Sequence, residues 1–225
     1  MTSYVYAVTS RRPATLGRGL AREPLRAMNL KGLVAIVGEM DARPAPDPER
    51  LKAHDAVVRR LARDCPALLP ARFGWTTESA DALRVALAPH RAAIDEALRL
   101  VRDCVQMNVR VLGDVAPAAP PAPLAPDRDR PGTQYLRERV KAWHASAALP
   151  EIDPLRAAVA PLLRAEKQER QGAAGLVGTA YHLIQRTRLR AYRAGVRRAT
   201  AALRPFRVRV TGPWAPYAFA PEAVS

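Results

Sequence analysis

The sequence predicts an α+β fold made of two small domains, each a β-sheet covered by helices. Strand-like and helix-like segments interleave along the 225 residues without the regular alternation of a doubly wound fold. Six of the sixteen residues at 116–131 are proline, a density that no helix or central strand tolerates because proline removes backbone donors and fixes φ. The predicted organisation is an N-terminal domain at 1–115, a proline-rich linker at 116–131 and a C-terminal domain at 132–225.

The N-terminal half opens with two predicted strands and a helix. Tyr4–Val8 is rich in β-forming residues, and the apolar run Leu33–Val37 lies between two glycines, a pattern typical of a strand buried on both faces. A helix is predicted at Pro48–Asp64, because apolar residues recur there at helical spacing. These residues are Leu51, Val57, Val58 and Leu61.

Four further segments complete this half. Leu68–Trp75 is predicted as a connection or a strand, and Thr77 or Ser79 is expected to cap the helix that follows. Pro89 should break that helix before a second helical stretch. Val105–Leu112 alternates between apolar and polar residues, which predicts a half-buried strand. The apolar positions of the two helical stretches are Leu83, Leu87, Ile94, Leu98 and Val101.

The C-terminal half combines helical and alternating patterns in the same way. Its predicted elements, in order, are helices at Thr133–Ala148 and Pro154–Gln171, a strand at Ala174–Gln185, an amphipathic helix at Arg186–Leu203, a strand at Phe206–Thr211 and a last short strand with Tyr217 and Phe219. This mixture again indicates a small α+β domain.

The net charge of +15 is the most unusual feature of the composition. Of the 36 basic residues, 32 are arginine and four are lysine. Two explanations stay open at this point. A genome rich in G and C encodes many arginines, alanines and prolines, and all three are abundant here. Alternatively, the protein binds an acidic partner, either nucleic acid or a negatively charged protein surface.

Four common catalytic and phosphate-binding motifs are missing from the sequence. The patterns G-x-G-x-x-G, G-x-x-x-x-G-K-[ST], H-E-x-x-H and G-x-S-x-G are all absent. The four histidines are scattered, and His182, within an apolar segment, is expected to be a core histidine. Cys65 and Cys104 are far apart and are interpreted as small buried residues rather than a disulfide or metal site. The sequence therefore predicts no enzyme, no cofactor and no metal.

The hydropathy of the chain predicts a cytoplasmic protein. No apolar run approaches the roughly 20 residues that a membrane helix needs. The N-terminus begins directly with a strand-like pattern and lacks the basic start and long apolar stretch of a secretory signal. We therefore expect no membrane association.

An arginine ridge is predicted on the Arg186–Leu203 helix. From Arg170 through Pro221 there are ten arginines, Arg170 included, and no aspartate or glutamate. Four of the arginines follow spacings of 4, 3 and 4 and should stack on one side of the helix, apart from its apolar stripe. Adjacent like charges on a helix repel by a few tenths of a kcal/mol, so an acidic partner explains them better than a solvated face. The four are Arg186, Arg190, Arg193 and Arg197.

Several motifs resemble one known family in their order along the chain. The residues at 209–219 form a strand that ends in T-G-P-W-x-P-Y-x-F. The preceding motifs are YVYAV at 4–8, AHDAVV at 53–58, LPARFG at 69–74, VQMNVRV at 105–111 and GTQYLR at 132–137. Together they resemble the gas vesicle protein L/F (GvpL/GvpF) family over nearly the whole chain.

The resemblance implies a fold, a role and partners. The N-terminal domain would be a modified ferredoxin-like domain and the C-terminal one a ferredoxin-like α+β domain, with helices between them. The protein would be an accessory or minor component of gas vesicle assembly, located in the cytoplasm and at the gas vesicle. Its partners would be the small hydrophobic shell protein and other gas vesicle accessory proteins. The family has no known catalytic residues, so none is carried over.

The family-like motifs supply three further candidates for partner contacts. Arg72 and Phe73 place a charge beside an apolar side chain and a glycine, and Trp214 adds a large apolar surface. A packed turn is the other interpretation of both motifs. The alternative function is a basic nucleic-acid-binding module, although aromatic residues make up only 5% of the chain and stacking platforms for bases are scarce.

Overall fold

The computed structural model describes residues 2–113, 148–173 and 175–224. The chain forms two compact units: the first consists of Met1–Gln106 and Pro213–Ser225, and the second of Met107–Gly212. Each unit combines a β-sheet with helices, so the predicted α+β class is confirmed. The predicted linker at 116–131 lies outside the described residues, as does the predicted helix at Thr133–Ala148 except for its last residue.

The first unit is built on an antiparallel sheet of short strands. Their order is β2-β3-β1-β4, and β5 also pairs with β1. The strands are β1 at Thr2–Thr9, β2 at Leu25–Asn29, β3 at Val34–Met40, β4 at Leu68–Pro70 and β5 at Thr76–Thr77. Consecutive residues of β3 from Val34 to Gly38 are buried, so the prediction of a strand buried on both faces is confirmed.

Three helices complete the first unit, at positions close to those predicted. Helix α1 spans Pro48–Asp64, α2 spans Ala80–Leu87 and α3 spans Arg91–Leu100. Asp47 caps α1, since its Oδ1 atom accepts a hydrogen bond from the Arg50 amide at 2.8 Å. Ser79 caps α2 in the same way, through Ala82 N at 3.0 Å. Pro89 lies in the 3₁₀ turn that separates α2 from α3.

A second sheet has four strands in the order β7-β8-β6-β9, and most of its residues belong to the second unit. Its strands are β6 at Cys104–Leu112, β7 at Leu163–Ala173, β8 at Leu176–Gln185 and β9 at Arg207–Trp214. The helices of this unit are α4 at Asp153–Val159 and α5 at Leu189–Thr200, which pack against each other. The predicted Arg186–Leu203 helix thus corresponds to α5 with a 3₁₀ turn at each end.

The predicted helix at Pro154–Gln171 is wrong. Only α4 is helical there, and the chain then forms β7, which pairs antiparallel with β8. Alanine, glutamate, lysine and glutamine favour a helix locally. The backbone hydrogen bonds to β8 override that preference, and Glu166 lies directly opposite His182 in the pairing.

The predicted last strand at Tyr217 and Phe219 is also wrong, because these residues form a 3₁₀ turn. The turn belongs to the first unit, where the Ala218 amide donates to Oε1 of Gln106 at 2.8 Å. Further along, Val224 O accepts a hydrogen bond from the Arg72 amide at 3.2 Å. The last residues therefore belong to the first unit, although the sequence division at 132–225 groups them with the C-terminal half.

Candidate functional site

Helix α5 carries the predicted arginine ridge. Arg190, Arg193 and Arg197 are exposed on this helix, whereas Arg186 begins the preceding 3₁₀ turn and is half-buried. The buried residues of the helix are Tyr192, Gly195 and Ala199. Three of the four predicted arginines thus share one exposed helix face, which we call the α5 arginine face.

Two contacts fix the rotation of α5 about its axis. The Tyr192 hydroxyl oxygen lies 2.7 Å from Nδ1 of His182 in β8. Gly195 is so close to α4 that a Cβ atom there would lie 3.2 Å from Cγ1 of Val159. Because these contacts hold one side of the helix inward, the α5 arginine face is directed outward.

A buried polar network connects β8 to β7. His182 is fully buried, and its Nε2 lies 3.3 Å from Oε1 of Glu166. Gln168 donates to the same carboxylate at 2.7 Å, and Arg156 Nε lies 3.2 Å from it. Burial alone would raise the pKa of Glu166, but the hydrogen bonds from His182 and Gln168 and the charge of Arg156 lower it to about 2. Both nitrogens of His182 are hydrogen-bonded, as expected of a core histidine.

The segment Ala71–Trp75, which contains two of the predicted contact residues, forms a loop between β4 and β5. Both strands pair with β1. The Ala71 amide donates to Tyr6 O and the Val5 amide donates to Trp75 O, each at 2.9 Å. The loop is therefore anchored to β1 at both of its ends.

A hydrogen-bonded network holds the middle of this loop. The hydroxyl oxygen of Tyr4 lies 2.9 Å from His54 Nδ1 and accepts a hydrogen bond from the Gly74 amide at 3.0 Å. His54 Nε2 lies 3.2 Å from Ala71 O. A carbonyl oxygen only accepts, so Nε2 carries the proton and Tyr4 donates to Nδ1. We call Tyr4, His54, Ala71 and Gly74 the loop network.

Burial changes the acid–base behaviour of the loop network. It lowers the pKa of His54 to about 4, although the hydrogen bond to the Ala71 carbonyl group opposes this change. Burial also raises the pKa of Tyr4 to about 12. Both side chains are therefore neutral at pH 7, and the network holds the loop without burying a charge.

Arg72 and Phe73 occupy different environments in this loop. Arg72 is exposed. Phe73 is half-buried, with its ring edge-on to Tyr4 and to His54 at centroid distances of 6.1 and 5.7 Å. Gly74 has a φ of 84°, and the Arg43 guanidinium group lies within 2.9–3.3 Å of where its Cβ would be. The loop thus packs as a turn and also presents one charged side chain to solvent.

Trp214 lies against α1 within the first unit. The guanidinium group of Arg59 stands 5.4 Å from the centroid of the indole ring, and Arg59 Nε also lies 2.9 Å from Oδ2 of Asp55. Burial and the nearby charge of Asp55 raise the pKa of Tyr217. Trp214 and Tyr217, in the later part of the T-G-P-W-x-P-Y-x-F segment, therefore lie against α1, and Trp214 is half-buried.

The loop network is not evident from the sequence. Tyr4 is separated from His54 by 50 positions and from Gly74 by 70, so no local spacing connects them. The Y-x-Y pattern of the first strand was a usable signal, because a tyrosine in a buried strand needs a hydrogen-bond partner.

Neither a metal-binding cluster nor a membrane-spanning helix is found in the described part of the chain. No group of three or more histidine, cysteine, aspartate or glutamate side chains there could hold a metal ion. Among the described helices, none combines the length and the apolar character required to cross a membrane.

Comparison with known proteins gives consistent matches. Residues 2–221 match the family model described as gas vesicle synthesis protein GvpL/GvpF. Gas vesicle protein L of Streptomyces sp. (strain CB03234) is 30% identical over 249 aligned positions, which cover 96% of this chain and 92% of that protein.

Two crystal structures share the fold. GvpF from Anabaena sp. PCC7120 has a TM-score of 0.73 and 18% identity, with 98% of this chain and 96% of that chain covered. GvpF from Microcystis aeruginosa has a TM-score of 0.74 and 15% identity, with 98% and 99% covered.

Proposed function

The chain belongs to the GvpL/GvpF family of gas vesicle synthesis proteins, and on that premise we propose that it is an accessory protein of gas vesicle assembly. In this role it binds the small hydrophobic shell protein, together with other accessory proteins, and helps to nucleate or chaperone vesicle formation in the cytoplasm. It acts by binding and not by catalysis. The observation that carries the binding role is the α5 arginine face.

The α5 arginine face suits an interaction better than a solvated surface. Three guanidinium groups share one side of the helix, and their mutual repulsion costs a few tenths of a kcal/mol per adjacent pair. An acidic partner would remove this cost, and the planar guanidinium fork pairs well with carboxylates. Arg186, at the start of the preceding 3₁₀ turn, adds a further positive charge before the α5 arginine face.

The other candidate residues have smaller roles in this proposal. Arg72 is exposed on a loop that is held on both sides, so it would lose little conformational freedom outside its own side chain on binding. Phe73 and Trp214 are half-buried by contacts inside the first unit. They would contact a partner only through the exposed part of each ring.

The first test is co-expression of the tagged chain with a gas vesicle shell protein, followed by pull-down from nuclease-treated lysate at moderate salt. We expect the shell protein to be retained and to stay soluble. Replacing three arginines of α5 by glutamate (R190E/R193E/R197E) should weaken retention. The control variant R11E/R12E/R22E makes the same change in net charge at exposed positions of the first unit and should retain the shell protein.

Two results would contradict the proposal or its assigned surface. Failure of the unmodified chain to retain the shell protein would contradict the accessory function. If the two charge-reversed variants retain equal amounts of shell protein, the α5 arginine face is not the binding surface.

The second candidate function is nucleic-acid binding, which the net charge of +15 favours. It predicts tight binding of duplex DNA that falls steeply as salt increases, because each neutralised phosphate releases counterions. Weak binding at about 150 mM salt would count against it.

A further inference from the structure

The outer strand of the second sheet lies beside the α5 arginine face. In the order β7-β8-β6-β9, β9 is the last strand, so one of its edges has no neighbouring strand among the described residues. Pro213 lies within β9, and proline is tolerated in an edge strand because its missing amide leaves no ladder bond unmade there. Within the described part of the chain, this edge therefore offers backbone donors and acceptors to an added strand.

The side chains of β9 alternate in character. Arg207 and Arg209 are exposed, whereas Val208 and Val210 are only half-exposed. At about 3.3 Å per residue, the five positions at 207–211 span roughly 17 Å. An added strand of similar length would meet positive charges at alternate positions and apolar side chains between them.

One contact connects this strand to the α5 arginine face. Nη2 of Arg193 lies 3.4 Å from the carbonyl oxygen of Gly212, near the end of β9. Arg193, the middle arginine of the α5 arginine face, thus contacts β9 at Gly212. Arg193, Gly212 and the positions 207–211 all lie within the second unit, at Met107–Gly212.

Protection of the edge does not account for this distribution of charge. Charged residues on an edge strand often prevent aggregation, and Arg207 and Arg209 alone would serve that purpose. The arginines of α5 do not lie on the edge. From Arg170 through Pro221 the chain contains no aspartate or glutamate.

We propose that β9 binds an extended acidic segment of a partner protein, which adds a fifth strand to this sheet while the α5 arginine face holds acidic residues of the segment near Gly212. Strand addition gives affinity through backbone hydrogen bonds, and the alternating side chains give specificity. The segment that fits alternates acidic and apolar residues, because it lies opposite Arg207, Val208, Arg209 and Val210. This inference rests on the proposed function, since the segment would belong to an assembly partner.

The test uses an acetylated and amidated peptide of seven residues that alternates glutamate and valine and carries a fluorescein label. Fluorescence anisotropy with the full chain should give saturable binding at about 50 mM salt that weakens at about 150 mM salt. The alternate amides at 207–210 that point away from β6 should exchange hydrogen more slowly with the peptide bound, because the added strand accepts hydrogen bonds from them. Both R207E/R209E and R190E/R193E/R197E should weaken binding about tenfold, whereas R11E/R12E/R22E should not.

Two probes separate strand addition from simple charge attraction. The same peptide methylated at every backbone nitrogen keeps its charge but cannot donate hydrogen bonds, so it should not bind. A 20-base-pair duplex should compete poorly. Equal binding of the methylated peptide, equal affinity for the duplex, or no binding of the glutamate–valine peptide would each overturn the inference.

Failure of this inference is distinguishable from failure of the proposed function. If the shell protein is retained in the pull-down but the peptide does not bind, the accessory function stands and strand addition on β9 is wrong. If the peptide binds as expected but no shell protein is retained, the surface is an acidic-segment site, and the accessory function is wrong.

Discussion

The Tyr4 hydroxyl group donates a hydrogen bond to His54 Nδ1 across 2.9 Å, which joins the first strand to the first long helix. The same oxygen accepts a hydrogen bond from the Gly74 amide. One buried hydroxyl group thus connects a strand, a helix and a loop in the first unit. Its removal leaves two buried polar groups without a partner, and such groups are costly.

The substitution Tyr4→Phe should therefore lower the free energy of unfolding by about 2 kcal/mol. Tyr181→Phe is the matched control, because the Tyr181 hydroxyl group donates an exposed hydrogen bond to Glu169 and water replaces it easily. The control should change stability by less than about 0.5 kcal/mol. Urea unfolding followed by circular dichroism measures both. Equal losses in the two variants would mean that the loop network contributes little.

The free energy of unfolding should fall as the pH is lowered from 6.5 to about 4, because His54 becomes protonated more readily in the unfolded chain. Its pKa in the folded protein is about 4, below the ordinary value of 6.5, so the unfolded chain binds more protons between these values. The neutral buried imidazole contributes fully above pH 6.5, and its contribution is lost progressively towards pH 4.

Between pH 7 and pH 5 this loss should amount to about 2 kcal/mol. Urea unfolding at both pH values measures it. The variant His54→Gln has no titrating group at this position and should be less sensitive over the same range. If it loses as much stability as the unmodified chain, other groups cause the pH dependence.

Glu166 should make the free energy of unfolding depend on pH in a lower range, between pH 4.5 and about 2. Its folded pKa of about 2 lies below the ordinary value of 4.5, so the carboxylate stabilises the second unit above pH 4.5 and loses this effect as the pH falls towards 2. Glu166→Gln removes the charge near Arg156 and His182 and should cost about 1–3 kcal/mol at pH 7. Glu169→Gln is the control at an exposed site of the same strand. An equal effect of both substitutions would exclude a special role for the buried network.

Gly178→Ala should lower the stability of the second unit more than Gly175→Ala does. A Cβ at Gly178 would lie 2.6 Å from the carbonyl oxygen of Glu169 in the paired strand and 2.6 Å from Cδ2 of Leu149. The backbone must shift to relieve this overlap, which should cost about 2–3 kcal/mol. Gly175 has a φ of 78° but nothing within 4 Å of its Cβ position, so only about 1 kcal/mol of backbone strain is expected. Thermal unfolding should rank the two variants in this order, and the reverse order would contradict the close packing of β7 on β8.

Trp214→Ala should destabilise the first unit even without any partner. The indole ring packs beneath the guanidinium group of Arg59, and its removal should cost about 2 kcal/mol because the side chain is half-buried. Trp214→Phe should recover part of this loss. Urea unfolding of the purified chain measures the effect. Unchanged stability of Trp214→Ala would favour a direct role in partner binding instead.

Sequence patterns correctly predicted the elements whose signals lie within a few neighbouring residues. The sequence predicted α1 at Pro48–Asp64 with the observed bounds and a break at Pro89. It predicted a cap at Thr77 or Ser79, and Ser79 is the residue that caps α2. Helix caps and periodic apolar residues act within one or two turns, so the chain itself carries this information. The exposed arginine face was predictable for the same reason, since helical spacing alone places Arg190, Arg193 and Arg197 together.

Only the tertiary structure decided the remaining features. β7 has a helix-favouring composition and becomes a strand because β8 supplies its backbone partners. The contacts of Tyr4 with His54 and Gly74 join residues far apart in the sequence, where no periodicity connects them. The last residues return to the first unit through hydrogen bonds to Gln106 and Arg72. The sequence by itself determined the elements with local signals and the family, whereas long-range pairing decided β7, the loop network and the position of the C-terminal segment.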